Sequence, residues 1–199
     1  MSYRTMYKNY GLTPKHITAH IDNYKIDTDP STARGRDNLQ IINQADIFYF
    51  NGGDQSRHIR TWLNDDGTPN QLLAVIKKRA FNDEIVLSGT SAGSMIWGNM
   101  TFGSGCSFGA WYFHNSVGLA PKKINDGAVN GSGLADIRNG TKSLQYEDNL
   151  GKMPAFGFIN FTVDTHFNAR GRLGRIVPVL MDLKEGFGMG VDENTSLFY

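Results

Sequence analysis

The spacing of hydrophobic positions along the chain changes repeatedly between a helical period and a strand period. Helical spacing predicts helices over 3–10, 37–44, about 55–63 and about 71–80, the last opened by a capping box at 68–71 with Pro69 in the first helical position. Apolar or alternating runs predict strands over 16–21, 47–50, 84–88 and 156–163. Because strands alternate with helices through short links, the pattern predicts an α/β fold with a doubly wound, mostly parallel sheet.

One long stretch of the chain has no such period. Residues 100–153 are rich in Gly, Asn, Ser and aromatic side chains. We interpret this stretch as an irregular excursion over the surface near the functional site, because long structureless stretches in compact domains are usually functional or disordered. The 199 residues suit one domain with a single core, and no internal repeat divides them.

The composition of the chain bears on three properties: its binding partners, its metal or disulfide content, and its location. The chain has 20 Lys and Arg against 19 Asp and Glu, so no net field recruits nucleic acid or an anionic membrane. The single cysteine, Cys106, excludes an internal disulfide, and the spacings of a structural zinc site do not occur in the sequence, so no metal is expected. The sequence has no apolar run of bilayer length and no apolar core of a signal peptide at its start, which favours the cytoplasm.

The motif with the most specific chemistry is Gly89-Thr90-Ser91-Ala92-Gly93, which follows a predicted buried strand. In that context Gly-x-Ser-x-Gly forms a nucleophile elbow, a tight turn that exposes the serine hydroxyl at the carboxyl edge of a sheet. The alternative is a turn of small residues needed only for close packing. The strand before the motif and the apolar residues after it favour a catalytic Ser91.

A catalytic serine needs a base, and the chain has five histidines. His166 stands just past the last predicted strand, again at the carboxyl edge where open α/β proteins bind ligands. His16 and His20 lie in an early predicted strand and His58 lies in a predicted helix, which favours structural or surface roles. His114, in the irregular stretch, stays an alternative.

The site also needs an acid and an oxyanion hole. Glu193 and Asp192 both follow a short apolar stretch, and one residue of register decides which carboxylate faces the imidazole. The resulting chain order of Ser, His and acid differs from the Ser, acid, His order of α/β-hydrolases. The expected oxyanion donors are the amide of Ala92 and an amide of the Gly52-Gly53 turn, which we assign to Gly53. Taken alone, the two glycines favour an ordinary strand-to-helix turn, and only their pairing with the nucleophile elbow favours the donor role.

Three arginines, Arg170, Arg172 and Arg175, follow His166 closely. Guanidinium groups bind carboxylates in a bidentate manner, so one interpretation is that they bind a carboxylate of the substrate. The other is a solvated basic face, because spacings of two and three residues do not place all three on one side of a helix. The residues alone leave both interpretations open.

Four motifs occur together in order along the chain. They are Asn51-Gly52-Gly53-Asp54-Gln55, Gly89-Thr90-Ser91-Ala92-Gly93, Asp164-Thr165-His166-Phe167 with the three arginines, and Gly188-Met189-Gly190-Val191-Asp192-Glu193. In this combination the chain resembles cyanophycinase, within the serine peptidases that include aspartyl dipeptidase. The resemblance implies a flavodoxin-like fold of the class I glutamine amidotransferase type, with residues 1–199 as one hydrolase domain, no cofactor and a homodimeric assembly.

The resemblance also implies roles for single residues. Ser91, His166 and Glu193 would form the catalytic triad, which selects Glu193 over Asp192. The residues that would line the pocket for a β-linked Asp-Arg unit are Gln55, Asp164, Thr165, Arg170, Arg172 and Arg175. The implied reaction is hydrolysis of cyanophycin, a polyaspartate with arginine on its side chains, to β-Asp-Arg dipeptides.

Three features depart from the family pattern. Thr165 stands where the family has a glutamine that touches the substrate, and the stretch after Trp97 is longer than the pattern predicts. The family also has a strand and a glycine turn before the position of Met1, and further strands beyond Tyr199, so the chain resembles a domain trimmed at both ends. Two alternatives therefore stand beside cyanophycin hydrolysis: an aspartyl dipeptidase for short peptides, and a binding module that keeps the pocket without turnover.

Overall fold

The computed structural model describes residues 2–64, 66–104, 107 and 151–199. The helices in these ranges are α1 (Tyr3–Asn9), α2 (Tyr24–Asp27), α3 (Ala33–Gln44), α4 (Gln55–Trp62), α5 (Gln71–Phe81), α6 (Ala92–Met95) and α7 (Leu173–Leu183). The strands are β1 (Ile47–Phe50), β2 (Val86–Gly89), β3 (Met100–Ser104), β4 (Gly151–Pro154), β5 (Thr162–Thr165) and β6 (Gly188–Val191). The predicted helices α1, α3, α4 and α5 and the predicted strands β1 and β2 are confirmed, with shifts of a few residues at their ends.

The start of α5 differs from the predicted capping box. Asn70 is the N-cap, and its side-chain oxygen accepts a hydrogen bond from the Leu73 amide at 3.0 Å. Thr68 instead belongs to a turn in which its amide and hydroxyl both donate to Asp66 Oδ1. Asparagine is as good an N-cap as threonine, so the residue nearer to the apolar run begins the helix.

The predicted strand over 16–21 is wrong. This segment has no strand partner, because its backbone bonds to side chains instead of to a neighbouring strand. The Thr18 amide donates to Asn38 Oδ1 and the Thr18 carbonyl accepts from Asn38 Nδ2, while the His20 amide donates to Asp27 Oδ2. An extended segment needs partners for its polar groups, and here Asn38 and Asp27 supply them without a sheet.

The described strands form three separate pairs. β1 lies parallel to β2, β5 lies parallel to β6, and β3 lies antiparallel to β4. The predicted α/β character agrees with the two parallel pairs, but a continuous doubly wound sheet is not formed by the described residues. The short helix α6 contacts β1, β2 and β5, so it lies where the two parallel pairs approach each other.

Two hydrophobic clusters hold these elements together. The larger packs β1 against α3, α4 and α5 through Phe48, Phe50, Ile42, Ile59 and Leu73. The smaller packs α6 and β3 against α7. Phe167, the residue after His166, packs against the second cluster, and Met95 of that cluster stands four residues after Ser91. The cluster therefore supports residues next to both of these side chains.

The predictions for the later part of the chain need two corrections. A strand was predicted over 156–163, but the observed strand, β5, runs from Thr162 to Thr165. The residues before it do not join a sheet, because the amides of Phe156 and Phe158 donate to the carbonyls of Ile96 and Trp97. The irregular stretch predicted over 100–153 begins and ends in the paired strands β3 and β4. Met100, Thr101 and Phe102 are all buried, so no alternation marks this strand in the sequence. The rest of that stretch, apart from Ser107, lies outside the described residues.

Candidate active site

Ser91 stands in a tight turn between β2 and α6. Its backbone has φ 51° and ψ −121°, a conformation that few residues other than glycine adopt. The glycines on either side permit this turn, since a Cβ on Gly93 would lie 2.7 Å from Asn51 O and a Cβ on Gly89 would lie 2.7 Å from Gly93 C. The motif is therefore required for close backbone packing and also presents the Ser91 hydroxyl beyond the end of β2.

The Ser91 hydroxyl contacts one imidazole. Ser91 Oγ lies 2.8 Å from His166 Nε2, and His166 Nδ1 lies 2.5 Å from Glu193 Oε1. His166 follows the last residue of β5 with φ 51°, and Glu193 follows β6, which pairs with β5 through Thr165 and Val191. The parallel pairing brings both residues to the same edge, and three distant stretches of chain thus meet in one hydrogen-bonded line.

The two acids after β6 have different partners. Both carboxylate oxygens of Asp192 accept from the Asn168 amide, at 2.8 and 3.0 Å, while Glu193 turns toward His166. The register that the residues alone left open thus places Glu193 on the imidazole and Asp192 on the turn that follows it. The hydrogen bond to His166 is the largest cause that holds the pKa of the Glu193 carboxyl below its ordinary value. A carboxylate with a lowered pKa stays ionised at neutral pH.

The other described histidines lie elsewhere. His16 approaches Thr18 Oγ1 and His20 approaches Asp22, both at exposed positions. His58 Nε2 lies 2.9 Å from the carbonyl oxygen of Asn51, and burial lowers the pKa of this imidazole. Among the histidines in the described ranges, His166 is thus the one within hydrogen-bonding distance of Ser91. His114 lies outside those ranges.

The predicted oxyanion donors border the same cavity as Ser91. Ala92, at the start of α6, and Gly53, with φ 138°, both line it. Gly52 lies so close that a Cβ on it would be 3.2 Å from Ser91 Cβ. The turn after β1 and the turn after β2 therefore meet around the serine hydroxyl. The cavity is lined by Gly53, Asp54, Gln55, Ser91, Ala92, Met95, Thr165, His166, Arg170, Arg172 and Arg175.

Beneath this cavity lies a buried ion network. Asp164 has no exposed surface, and its two carboxylate oxygens accept from Nη2 and Nε of Arg175, both at 2.6 Å. Arg172 Nη1 adds a contact at 3.1 Å and also donates to the Thr165 carbonyl. The prediction that Asp164 lines the substrate pocket is therefore corrected, because this carboxylate faces the arginines and does not reach the cavity. Arg172 and Arg175 reach the cavity from the network, and exposed Arg170 reaches it from the rim.

Positive charge is concentrated at this side of the cavity. The pKa of Arg172 is lowered to about 10, first by burial of the guanidinium and next by repulsion from Arg175. Arg175 also stacks over the Phe102 ring, with its guanidinium carbon 4.4 Å from the ring centroid. One buried carboxylate thus faces two guanidinium groups, and a bound anion would relieve the repulsion between them.

Two polar residues complete the cavity wall. Gln55 Nε2 donates to the Phe102 carbonyl at 2.6 Å, which ties the start of α4 to β3. The Thr165 hydroxyl is buried and has no hydrogen-bond partner among the described residues. Asp54 and Met95 also line the cavity, although the sequence reasoning gave them no role. Asp54 stands within the glycine-turn motif, which was the available signal, whereas Met95 has a side chain that carries no chemical signal of a site.

The described ranges lack two other kinds of feature. No group of three or more His, Cys, Asp or Glu side chains in the described part of the chain is arranged to hold a metal ion. None of the helices described above combines the length and the apolar character needed to cross a membrane.

A family model and several curated relatives indicate the same protein family for this chain. The model for peptidase family S51 matches residues 4–130, which include Ser91. A cyanophycinase of Geminocystis herdmanii is 28% identical over 160 residues, which cover 80% of this chain and 45% of the relative. A cyanophycinase of Synechococcus elongatus is 26% identical over 171 residues, with 86% and 41% covered. The cyanophycinase of Trichormus variabilis is 28% identical over 147 residues, with 74% and 37% covered. The chain thus spans less than half the length of these relatives.

Proposed function

We propose that this chain, which belongs to peptidase family S51, hydrolyses peptide bonds with Ser91 as nucleophile, His166 as base and Glu193 as the acid that orients the base. The observation that carries the proposal is the pair of contacts at His166, 2.8 Å to Ser91 Oγ and 2.5 Å to Glu193 Oε1. The first contact is short enough for proton transfer from the hydroxyl, and the second is short enough to orient the ring. A nucleophile, a base and an orienting carboxylate in one line are the arrangement of serine hydrolases.

The geometry supports the following acyl transfer. Ionised Glu193 accepts a hydrogen bond from His166 Nδ1–H, which keeps the proton on Nδ1 and leaves the Nε2 lone pair directed at Ser91. Nε2 takes the hydroxyl proton as Ser91 Oγ bonds to the carbonyl carbon of the substrate. The imidazolium then gives that proton to the leaving amine nitrogen as the peptide bond breaks. Water, deprotonated by the same imidazole, releases the acyl group and restores the Ser91 hydroxyl.

The tetrahedral intermediate carries a negative oxygen that needs donors. Ala92, directly after the nucleophile, and Gly53, in the turn packed against Ser91, are the proposed sources of two backbone amides. Preorganised amides stabilise the oxyanion because they need no reorientation during the reaction. Ala92 also opens α6, where free backbone amides concentrate.

The charge of the cavity supports a substrate that carries a carboxylate near the scissile bond. Arg172 has a pKa lowered by burial and by Arg175, and exposed Arg170 adds a third cation at the rim. A carboxylate placed between them would replace repulsion with charge-assisted hydrogen bonds. Release of β-Asp-Arg from a polyaspartate breaks a backbone amide and leaves the β-linked arginine in place. The free carboxylate of that arginine lies near the scissile bond and suits this position.

We therefore propose peptides that carry β-linked Asp-Arg units as the substrate class. Cyanophycin is the first candidate, and hydrolysis of its backbone amides would give β-Asp-Arg dipeptides as the product. The candidate is favoured by the similarity to cyanophycinases at 26–28% identity. Thr165 lines the cavity, and its hydroxyl has no hydrogen-bond partner among the described residues. An aspartyl dipeptidase would differ by accepting only short peptides.

The proposal is tested by product release from three substrates: insoluble cyanophycin, a short β-aspartyl peptide and its α-aspartyl isomer. We expect release of arginine-containing dipeptides from cyanophycin, and a loss of about 10⁴-fold or more in Ser91→Ala. Hydrolysis confined to short peptides would instead identify a dipeptidase. Product formation that persists unchanged in Ser91→Ala, or that is absent from all three substrates, would reject the proposal.

A further inference from the structure

Two side chains that the proposed mechanism does not use, Asn51 and His58, form hydrogen bonds to the glycine turn after β1. Gly52 and Gly53 lack a Cβ, so both have wide backbone freedom, and Gly53 stands at φ 138°. An amide in such a turn is a poor oxyanion donor unless its direction is fixed before the substrate binds. Two hydrogen bonds supply that restraint.

The first hydrogen bond fixes the peptide before Gly52. His58 Nε2 lies 2.9 Å from the Asn51 carbonyl oxygen, and the ring packs edge-on against Phe50 at 6.0 Å between centroids. Because burial lowers the pKa of His58, the imidazole is neutral, and since a carbonyl only accepts, Nε2 carries the proton. In a trans peptide the carbonyl and the next amide point in opposite directions. A fixed Asn51 carbonyl therefore also fixes the direction of the Gly52 amide.

The second hydrogen bond fixes the peptide after Gly52. Asn51 Nδ2 donates to the Gly52 carbonyl at 2.7 Å, and this peptide is also trans. The opposite side of the same peptide is the Gly53 amide, the proposed oxyanion donor. The direction of that amide is thus set by the side chain of Asn51, while His58 holds the residue that carries this side chain.

The neighbouring backbone leaves this turn little room to shift as a whole. The Thr90 amide donates to the Phe50 carbonyl at 3.1 Å, and the backbone of Phe50 and Asn51 lies against the Cα of Gly93. Rotation of single peptide planes is the freedom that remains, and it is this rotation that the two side chains restrain.

We infer that Asn51 and His58 are positioning residues that orient the Gly53 amide beside Ser91. The inference rests on the proposed function, because it assigns Gly53 as a donor to the oxyanion. It predicts that loss of either side chain lowers the rate of the chemical step and leaves substrate binding in place, since the ground-state carbonyl depends less on this donor than the oxyanion does.

The experiment measures kcat, KM and the melting temperature with the best aspartyl substrate of the wild-type chain. We expect Asn51→Ala and the isosteric Asn51→Asp to lower kcat about ten- to hundredfold, a part of the 10²–10³ that a complete donor is worth. KM should stay within about twofold, as expected for an interaction made only in the transition state. Asn82→Ala is the matched control, because exposed Asn82 donates to Glu84 far along the chain from the turn, and its kcat should equal that of the wild type.

His58 allows a test by rescue. His58→Leu removes the donor, whereas His58→Gln restores an N–H at the end of the side chain, so we expect kcat to fall in the first and to recover in part in the second. Because Asn51 is exposed, its variants decide the question if His58→Leu does not fold. The inference is overturned if folded Asn51 variants keep the wild-type kcat, or if they raise KM with kcat unchanged. A wild-type chain without any hydrolysis would overturn the proposed function, and the inference with it.

Discussion

The residues Ser91 and His166 both have a positive φ, 51° at each, which is unusual for residues other than glycine. A sparsely populated backbone conformation costs a non-glycine residue about 1–3 kcal/mol, and such strain concentrates at functional sites. Ser91 follows β2 and His166 follows β5, both of which are parallel strands. The strained turn at each residue directs the side chain across the carboxyl edge of the strand pair and not along the strand. The strain is tolerated because the neighbouring backbone is fixed by strand pairing on one side and by a helix or turn on the other.

At the same scale, Glu193 and Asp192 provide a matched pair of substitutions. Glu193→Gln should lower kcat by about 10²- to 10⁴-fold, because a neutral amide no longer stabilises the imidazolium and can favour the wrong tautomer. Asp192→Asn should lower kcat by less than about tenfold, since an amide oxygen still accepts from the Asn168 amide. Steady-state kinetics on both variants checks this order. Equal losses would show that Glu193 has no special relation to His166.

His58 predicts a dependence of stability on pH. Burial places its pKa in the folded state below the unfolded value of about 6.5, so the unfolded state binds more protons between those two values. The contribution of His58 is therefore complete above about pH 6.5 and is lost as the pH falls toward the folded pKa, with a slope of at most about 1.4 kcal/mol per pH unit. Urea unfolding at pH 7.5 and 5.5 should show a larger decrease for the wild type than for His58→Gln. Identical decreases would contradict the prediction.

At the scale of elements, glycines decide how closely α6 approaches β1. A Cβ on Gly93 would meet backbone atoms of Phe50 and Asn51, which cannot move aside without breaking the β1–β2 pairing. Gly93→Ala should therefore destabilise the fold by about 1–3 kcal/mol and displace Ser91. Gly186→Ala is the control, because a Cβ there meets nothing within 4 Å. Thermal melts of the two variants give the comparison, and an unaffected Gly93→Ala would contradict the packing described.

The ion network that joins β5 to α7 makes a second prediction at this scale. Asp164→Ala leaves two buried guanidinium groups without their carboxylate, so the free energy of unfolding should fall by about 3–5 kcal/mol. Arg170→Ala should leave stability nearly unchanged because Arg170 is exposed, yet raise KM for an anionic substrate about tenfold. Chemical denaturation and kinetics separate the two effects. If Asp164→Ala kept its stability and raised KM, the prediction would be contradicted, and Asp164 would instead contact the substrate.

Local patterns predicted those elements whose signals are short-ranged. The apolar spacing of α3, α4 and α5 and the apolar run of β1 are visible in the sequence because each buries one face or a continuous run. The strand predicted over 16–21 is wrong because Asn38 and Asp27, which lie further along the chain, form the hydrogen bonds of its backbone. Strand β3 was not predicted because the side chains of residues 100–102 are all buried and show no alternation. In both cases a contact distant in sequence decided the outcome.

For the candidate site, the motifs selected three residues that the structure brings into contact. Ser91, His166 and Glu193 were selected by their motifs and come together in the structure, although their catalytic roles stay proposals. Asp164 was placed in the pocket because sequence does not show depth, and the structure puts it below the surface. The direction of the Asp164 side chain depends on the arginines at the start of α7, and the motif around Asp164 does not show how that helix packs.

At the scale of the whole molecule, the described strands form three pairs where a single doubly wound sheet was predicted. Pairing between strands that are far apart in sequence leaves no local period, so the order of a sheet is not readable from spacing alone. The two parallel pairs and the flanking helices agree with an α/β class. The single hydrolase domain over 1–199 and the homodimer stay predictions.

The central claim is that Ser91 becomes a nucleophile because His166 takes its proton. Intact-protein mass spectrometry after exposure to a serine-directed fluorophosphonate tests this most directly. The account predicts one adduct on the wild-type chain, mapped to Ser91, absent from Ser91→Ala and formed much more slowly in His166→Ala. A wild-type chain that takes no label, or a Ser91→Ala variant that is labelled to the same extent, would contradict it.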